Sequence, residues 1–213
     1  MANGLLGLII VVIVAFVPAI LYMLWIRSAE IYEREPLFAV QGVFLYGMTV
    51  AVFLALVLET VAIMFIDVAV GGLSIIAYNL ILGVILAPII EEFTKATGVM
   101  TVMRRLIEPE NGLVYGAAVG LGFAAVENVL YYLTALDAGT DVFIATAIAR
   151  TLTSTLLHTS ASALVACYSR IDYYPLGKRC YCMRRSTCWR RSACSTLPPA
   201  GSSRSSACCY LSS

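Results

Sequence analysis

The sequence predicts an all-α, polytopic transmembrane helix bundle of about five spans with its N-terminus outside. Three observations predict it. Hydrophobic residues make up 61% of the 213 positions and charged residues only 13%, too little polar surface for a water-soluble globule. The apolar residues gather into five runs, each long enough to cross a hydrocarbon core of ~30 Å at ~1.5 Å per residue. The third observation is charge. The connectors after runs one, three and five carry Arg27 and Arg34, Arg104 and Arg105, and Arg170 with a basic tail, whereas those after runs two and four carry only Asp67, and Asp137 with Asp141. Basic residues collect on the cytoplasmic side, so one orientation satisfies every connector. No connector before residue 170 is long enough to hold a soluble domain.

Leu5 to Trp25 is the first span, with Tyr22 and Trp25 as interface anchors. It has no basic leader, its apolar part is too long for a signal peptide, and no small-residue cleavage pattern follows, so it is read as a retained helix. Arg27 to Pro36 is a short charged connector, and Pro36 suits the first turn of a helix. Leu37 to Ile66 is the second span, and the lone acid Glu59 inside it is expected to be protonated or paired within the bundle. A glycine-containing turn, Asp67 to Gly72, follows. Leu73 to Met103 is too long for one upright span, so a tilt or bend is expected, most naturally at Pro88. Leu113 to Leu136 is the fourth span and Val142 to Cys167 the fifth. In the fourth, Gly116 and Gly120 form a small-xxx-small face for close helix packing.

The chemistry lies in charges placed where lipid should be. Glu91 and Glu92 stand side by side in the third span, and a charged group at bilayer depth costs roughly 2.5–3.5 kcal/mol on insertion scales. Adjacent carboxylates also repel, so they need a proton or a cation; Lys95, four residues after Glu91 on the same helical face, supplies part of that charge. Glu127, with Asn128 beside it and Tyr131 one turn on, lies far from either end of the fourth span. The fifth span holds the only histidine, His158, sharing a face with Ser154 and Ser162, and Arg150 lies two turns earlier. Such residues face a bundle interior and mark functional sites, so Glu91, Glu92, Glu127 and His158 are expected to converge in one polar cavity. A carboxylate beside an imidazole can take a proton from water and return it to a leaving amine. A metal could acidify bound water instead. Catalytic zinc usually takes three protein ligands, no His-Glu-x-x-His occurs, and the sequence alone allows a metal without requiring one.

At these residues the chain resembles the PrsW family of intramembrane proteases, relatives of the CAAX-prenyl endopeptidases and of bacteriocin-processing membrane proteases. Glu33 to Pro36 (Glu-Arg-Glu-Pro) resembles the family's charged connector, Glu91-Glu92-Phe93-Thr94-Lys95 its paired-glutamate motif, Phe123-x-x-x-Glu127-Asn128 its second motif, and Arg150 with His158 its third. The resemblance covers roughly residues 20–170. It implies hydrolysis of a peptide bond in or near the membrane span of a membrane-anchored signalling protein, in a prokaryotic cell membrane. The family is usually filed with metalloproteases, while the CAAX-cleaving relatives have also been read as glutamate-dependent without metal. The resemblance assigns Glu91, Glu92, Glu127 and His158 as the catalytic set, with Glu127 and His158 as the pair that would hold a divalent metal such as zinc. Lys95, Asn128 and Arg150 become supports. The expected partners are a membrane-protein substrate and the bilayer, and no nucleic acid. Two other classes carry the same pattern: an ion or proton carrier using Glu and His as a relay, and an inactive membrane scaffold.

The chain is thus expected to divide into a protease-like bundle, 1–170, and a tail, 171–213. From Gly177 onward stand seven of the fourteen Lys and Arg, six of the seven Cys and nine Ser, with no acid. Such a segment has no apolar face to bury and is expected to be disordered. The cysteines (Cys180, Cys182, Cys188, Cys194, Cys208, Cys209) form no Cys-x-x-Cys pair for zinc. Two origins fit the tail. One is a lipid-binding basic segment, with Cys180 and Cys182 as palmitoylation sites. The other is a shifted reading frame, which fits better because family members usually continue through further spans, one of them bearing another histidine.

Overall fold

The computed structural model describes residues 2–30, 34–69, 74–106 and 109–173, and among them every regular element is a helix. The tail beyond Tyr173 lies outside the described residues, and with it the expectations about its cysteines and its origin.

Helix α1 (Ala2–Ser28) buries one narrow stripe, Val11, Ala15, Ala19 and Met23, at a spacing of four, and leaves its other faces apolar and exposed. That is how a helix sits between a protein core and lipid tails. The connector that follows is tied down at Glu35, which is buried. The Arg27 Nε donates to the Glu35 carbonyl at 2.7 Å, and the Glu35 amide donates to Glu30 Oε2 at 2.8 Å. Asn111 Nδ2 and Tyr115 Oη donate to the two carboxylate oxygens of Glu35 at 2.5 and 2.6 Å.

Pro36 is extended and stands just before α2 (Leu37–Tyr46) rather than in its first turn. A π-helical turn, Gly47–Ala51, then leads into α3 (Val52–Ala69). Ser74 caps α4 (Ile75–Leu80), its hydroxyl accepting from the Ala77 amide. A second π-helical stretch, Ile81–Leu86, precedes α5 (Ala87–Met100), with Pro88 in its first turn. Proline lacks the donor for its i−4 carbonyl and its ring crowds that carbonyl, so the chain widens immediately before Pro88, where the sequence suggested a bend.

The centre of the bundle is α6 (Pro109–Ala138): 72% of its most apolar window is buried, against 17% or less for the other three long apolar helices. Its small residues explain this position. A Cβ built on Gly116 would stand 2.4 Å from the Ser162 carbonyl oxygen, and one on Gly120 would stand 2.6 Å from that of His158. The expected glycine face therefore packs backbone to backbone against α8.

Gly139, at φ +138°, turns the chain into α7 (Thr140–Leu152) and then α8 (Ser154–Tyr173). Here the expectation of one continuous fifth span, Val142 to Cys167, is corrected. The helix breaks at Thr153 (φ −112°, ψ −71°), whose hydroxyl bonds back to the Ala149 carbonyl at 2.7 Å. Such back-bonding by Thr competes with the helix ladder and bends it. Among the described residues four helices are long and apolar enough to cross a membrane: Gly4–Ser28, Leu37–Val68, Ile75–Met100 and Glu110–Ala138. The broken α7–α8 pair follows them as the fifth, more polar passage.

Candidate active site

On α5, Glu91, Glu92 and Lys95 fall within one turn. Lys95 has no exposed surface, and burying an ammonium is tolerable only when its donors are used. Its Nζ finds three acceptors: Glu92 Oε1 at 2.9 Å, Glu91 Oε2 at 3.2 Å and His158 Nδ1 at 2.8 Å. Its open side is closed by the ring of Phe123, whose centre is 4.2 Å away, a cation–π contact in a desolvated place.

Phe123 and Glu127 are one turn apart on α6, so one face of that helix carries both the floor under Lys95 and the next carboxylate. Glu127 Oε2 lies 2.9 Å from His158 Nε2 and 3.0 Å from Arg150 Nη2. These are ion-pair distances, yet that buried oxygen makes no aligned hydrogen bond. Arg150, in the last turn of α7, is held on three sides. Its Nε donates to Asn128 Oδ1 at 2.7 Å, its Nη2 to Ser154 Oγ at 3.0 Å, and its guanidinium lies 3.7 Å over the Tyr131 ring. Asn128 in turn donates from Nδ2 to Thr155 Oγ1 at 2.9 Å. The break at Thr153 matters here, because it lets the end of α7 and the start of α8 both serve the same carboxylate.

Ser162 Oγ donates to Glu92 Oε2 at 2.9 Å, joining α8 to α5. Both Glu92 oxygens are thereby occupied. Glu91 and Glu127 each keep an Oε1 that accepts from no protein donor among the described residues. The side chains of Glu91, Glu92, Glu127 and His158 are 17, 23, 23 and 12% exposed, so the carboxylates open toward the surroundings while Lys95 is sealed beneath them.

The structure thus brings together all seven residues singled out in the sequence: Glu91, Glu92, Lys95, Glu127, Asn128, Arg150 and His158. Three carboxylates face two fixed cations. Sequence reasoning gave no role to Thr155 or to the ring of Phe123, whose spacing from Glu127 was the available signal. Glu59, expected to be protonated or paired within the bundle, lies partly buried on α3 within electrostatic reach of Glu91, Glu127 and Lys95.

A metal needs donors converging on one point, usually three from the protein when it is catalytic. Glu127 Oε2 and His158 Nε2 are adjacent donors, but the next group on that side is the Arg150 cation, and Lys95 occupies the other imidazole nitrogen. Among the described residues no three His, Cys, Asp or Glu side chains form a metal-holding group. As arranged, these residues do not fit a catalytic zinc.

Comparison with known proteins yields a consistent result. A family model described as "PrsW family intramembrane metalloprotease" matches residues 35–177. Protease PrsW of Geobacillus kaustophilus (strain HTA426) is 32% identical over 167 residues, covering 77% of this chain and 67% of the relative. Protease PrsW of Clostridioides difficile (strain 630) is 31% identical over 122 residues, covering 56% of this chain and 49% of the relative. The chain therefore spans about two thirds of the one and half of the other. No solved structure matches it.

Proposed function

The chain belongs to the PrsW family of intramembrane proteases, and from that premise we propose that it hydrolyses a peptide bond in or near the membrane span of a membrane-anchored signalling protein, using water activated by glutamate. It is a multi-pass integral membrane protein, and the bacterial sources of both relatives point to a prokaryotic cell membrane. The catalytic unit is the bundle of residues 1–170.

The observation that carries the mechanism is Glu127. Its Oε2 is held between His158 and Arg150 while its Oε1 accepts from no protein donor among the described residues. In our reading, Glu127 Oε1 takes a proton from a water molecule whose oxygen bonds to the scissile carbonyl carbon. The carbonyl oxygen gains negative charge, and Arg150, partly exposed where Lys95 is wholly buried, is the cation assigned to it, in a site where fixed charge acts strongly. The C–N bond then breaks, and the proton on Glu127 passes to the departing nitrogen. Glu91 faces the same space with its own unbonded Oε1. Glu92 holds α8 through Ser162, and Asn128 holds Arg150. A metal, as the family description names, would supply a polarised carbonyl or an acidified water, but Glu127 and His158 are flanked by cations here and the carboxylate serves alone.

The test needs no substrate in advance. Membranes from cells expressing the chain or its Glu127→Gln variant are incubated in oxygen-18 water, and new protein termini are compared by mass spectrometry. New carboxyl termini within or beside membrane spans, carrying oxygen-18 and present only with the unaltered chain, are expected. The same termini from Glu127→Gln would refute the assignment. Proton flux in proteoliposomes without any cleavage would mark a carrier instead.

A further inference from the structure

We propose that Lys95 is the positioning residue of this site: it fixes His158 as the tautomer with its proton on Nε2, facing Glu127, which leaves the imidazole no free lone pair and makes the carboxylate the base. An ammonium carries three donors and no acceptor. Three acceptors surround Lys95 Nζ within 3.2 Å, and the shortest contact is to His158 Nδ1 at 2.8 Å. Nδ1 also lies 3.5 Å from Glu91 Oε2, but its contact with the Lys95 nitrogen is shorter, at 2.8 Å, and an ammonium can only donate, so Nδ1 is assigned as the accepting nitrogen. The ring proton is then on Nε2, which stands 2.9 Å from Glu127 Oε2, off the line of an aligned hydrogen bond but opposite a group that only accepts. The other tautomer would set an N–H against the ammonium and a lone pair against the carboxylate. An imidazolium would set an N–H against the ammonium.

Two consequences follow. His158 cannot take a proton from water while Lys95 occupies Nδ1 and a proton occupies Nε2. It also cannot ligate a metal without losing one of them. The imidazole acts instead as a spacer that holds α8 between the Lys95 cluster on α5 and Glu127 on α6, which explains how one histidine contacts both. Only the catalytic half of this proposal rests on reading Glu127 as the base; the tautomer stands on the Lys95 contacts.

Because the chain has a single histidine, nitrogen-15 histidine labelling of the full-length protein in lipid nanodiscs reports one imidazole. At neutral pH a one-bond N–H coupling is expected at Nε2 alone, with Nδ1 bare and hydrogen-bonded, unchanged by an equivalent of zinc. A proton on Nδ1, protons on both nitrogens, or zinc displacing the Nε2 proton would each overturn the proposal in the unaltered protein. Lys95→Arg should keep the spectrum. A folded Lys95→Met should show both tautomers exchanging, and cleavage should fall through kcat with KM retained; an unchanged spectrum in that variant would also overturn it. If the tautomer is as proposed but Glu127→Gln cleaves normally, the base assignment fails and the tautomer survives.

Discussion

Gly120→Ala is the sharpest test of how the fold makes the site, because it alters packing without replacing any reactive side chain. A Cβ at position 120 would stand 2.6 Å from the His158 carbonyl oxygen, 3.1 Å from its carbon and 3.1 Å from Ser162 Oγ. Ordinary contact begins near 3.4 Å, so α8 must retreat by about 0.8 Å, and a backbone carbonyl cannot swing aside as a side chain can. His158 travels with its carbonyl. Its 2.9 Å approach to Glu127 and 2.8 Å contact with Lys95 would stretch by up to about that amount, to at most about 3.7 and 3.6 Å, out of hydrogen-bonding range. Misplacement of about 1 Å in a catalytic array costs on the order of 10²-fold in rate, while overpacking costs about 1–3 kcal/mol of stability. The protein should therefore still insert and fold, with cleavage down about 100-fold and the His158 ring-nitrogen signals shifted. Gly42→Ala is the control, since nothing lies within 4 Å of its added carbon. Cleavage by Gly120→Ala within twofold of the unaltered chain, or equal loss in Gly42→Ala, would refute the claim that backbone contact between α6 and α8 sets the site.

Three further outcomes follow from the structure. Glu35→Ala removes the acceptor of Tyr115 Oη and Asn111 Nδ2 and should lower stability by about 1–3 kcal/mol, measured by thermal unfolding in detergent; no change would mean the connector is not tied to α6. Burial raises the pKa of Glu30 above the ordinary glutamate value, outweighing the lowering by the Glu35 amide, so its ionisation opposes folding as pH rises above about 4.5. Glu30→Gln should therefore raise Tm near pH 7, and the gain should shrink as pH falls toward 4.5; a gain that grows with acid would contradict it. Single cysteines at Glu30, Val70, Glu108 and Gly139 should label alternately from the two sides, with 30 and 108 cytoplasmic. Labelling of 70 and 108 from the same side would end the orientation with the N-terminus outside.

The spans were legible because hydropathy sums over many residues, and no single contact decides it. The ionisable residues were legible for the opposite reason: each is out of place in lipid, so Glu91, Glu92, Glu127 and His158 each implied a common interior. Pairings were less legible. Spacing gave Lys95 to Glu91 as a local i, i+4 pair, but its wholly buried position, its bond to Glu92 and its reach to His158 depend on how α8 lies against α6. The π-helical turn at Gly47–Ala51 left no mark either. It lies where the backbone packs against α6, since a Cβ on Gly47 would stand 2.2 Å from the Val119 carbonyl oxygen.

The break at Thr153 shows why one element was misread, and what its misreading hid. Val142 to Cys167 is apolar enough to look like a continuous helix, and Thr is tolerated in helices when its hydroxyl bonds back within them. Nothing local required a break. What the break supplies is the approach of Arg150 to Glu127, Asn128 and Ser154 together. A straight helix would carry Arg150 and His158 on faces about 80° apart, since eight residues at 100° each return to within that angle of the start. Across the interruption, Arg150 Nη2 and His158 Nε2 stand 3.0 and 2.9 Å from the same Glu127 oxygen. The departure from regular structure lies beside the candidate site, and a sequence reading that rewards regularity passes over it.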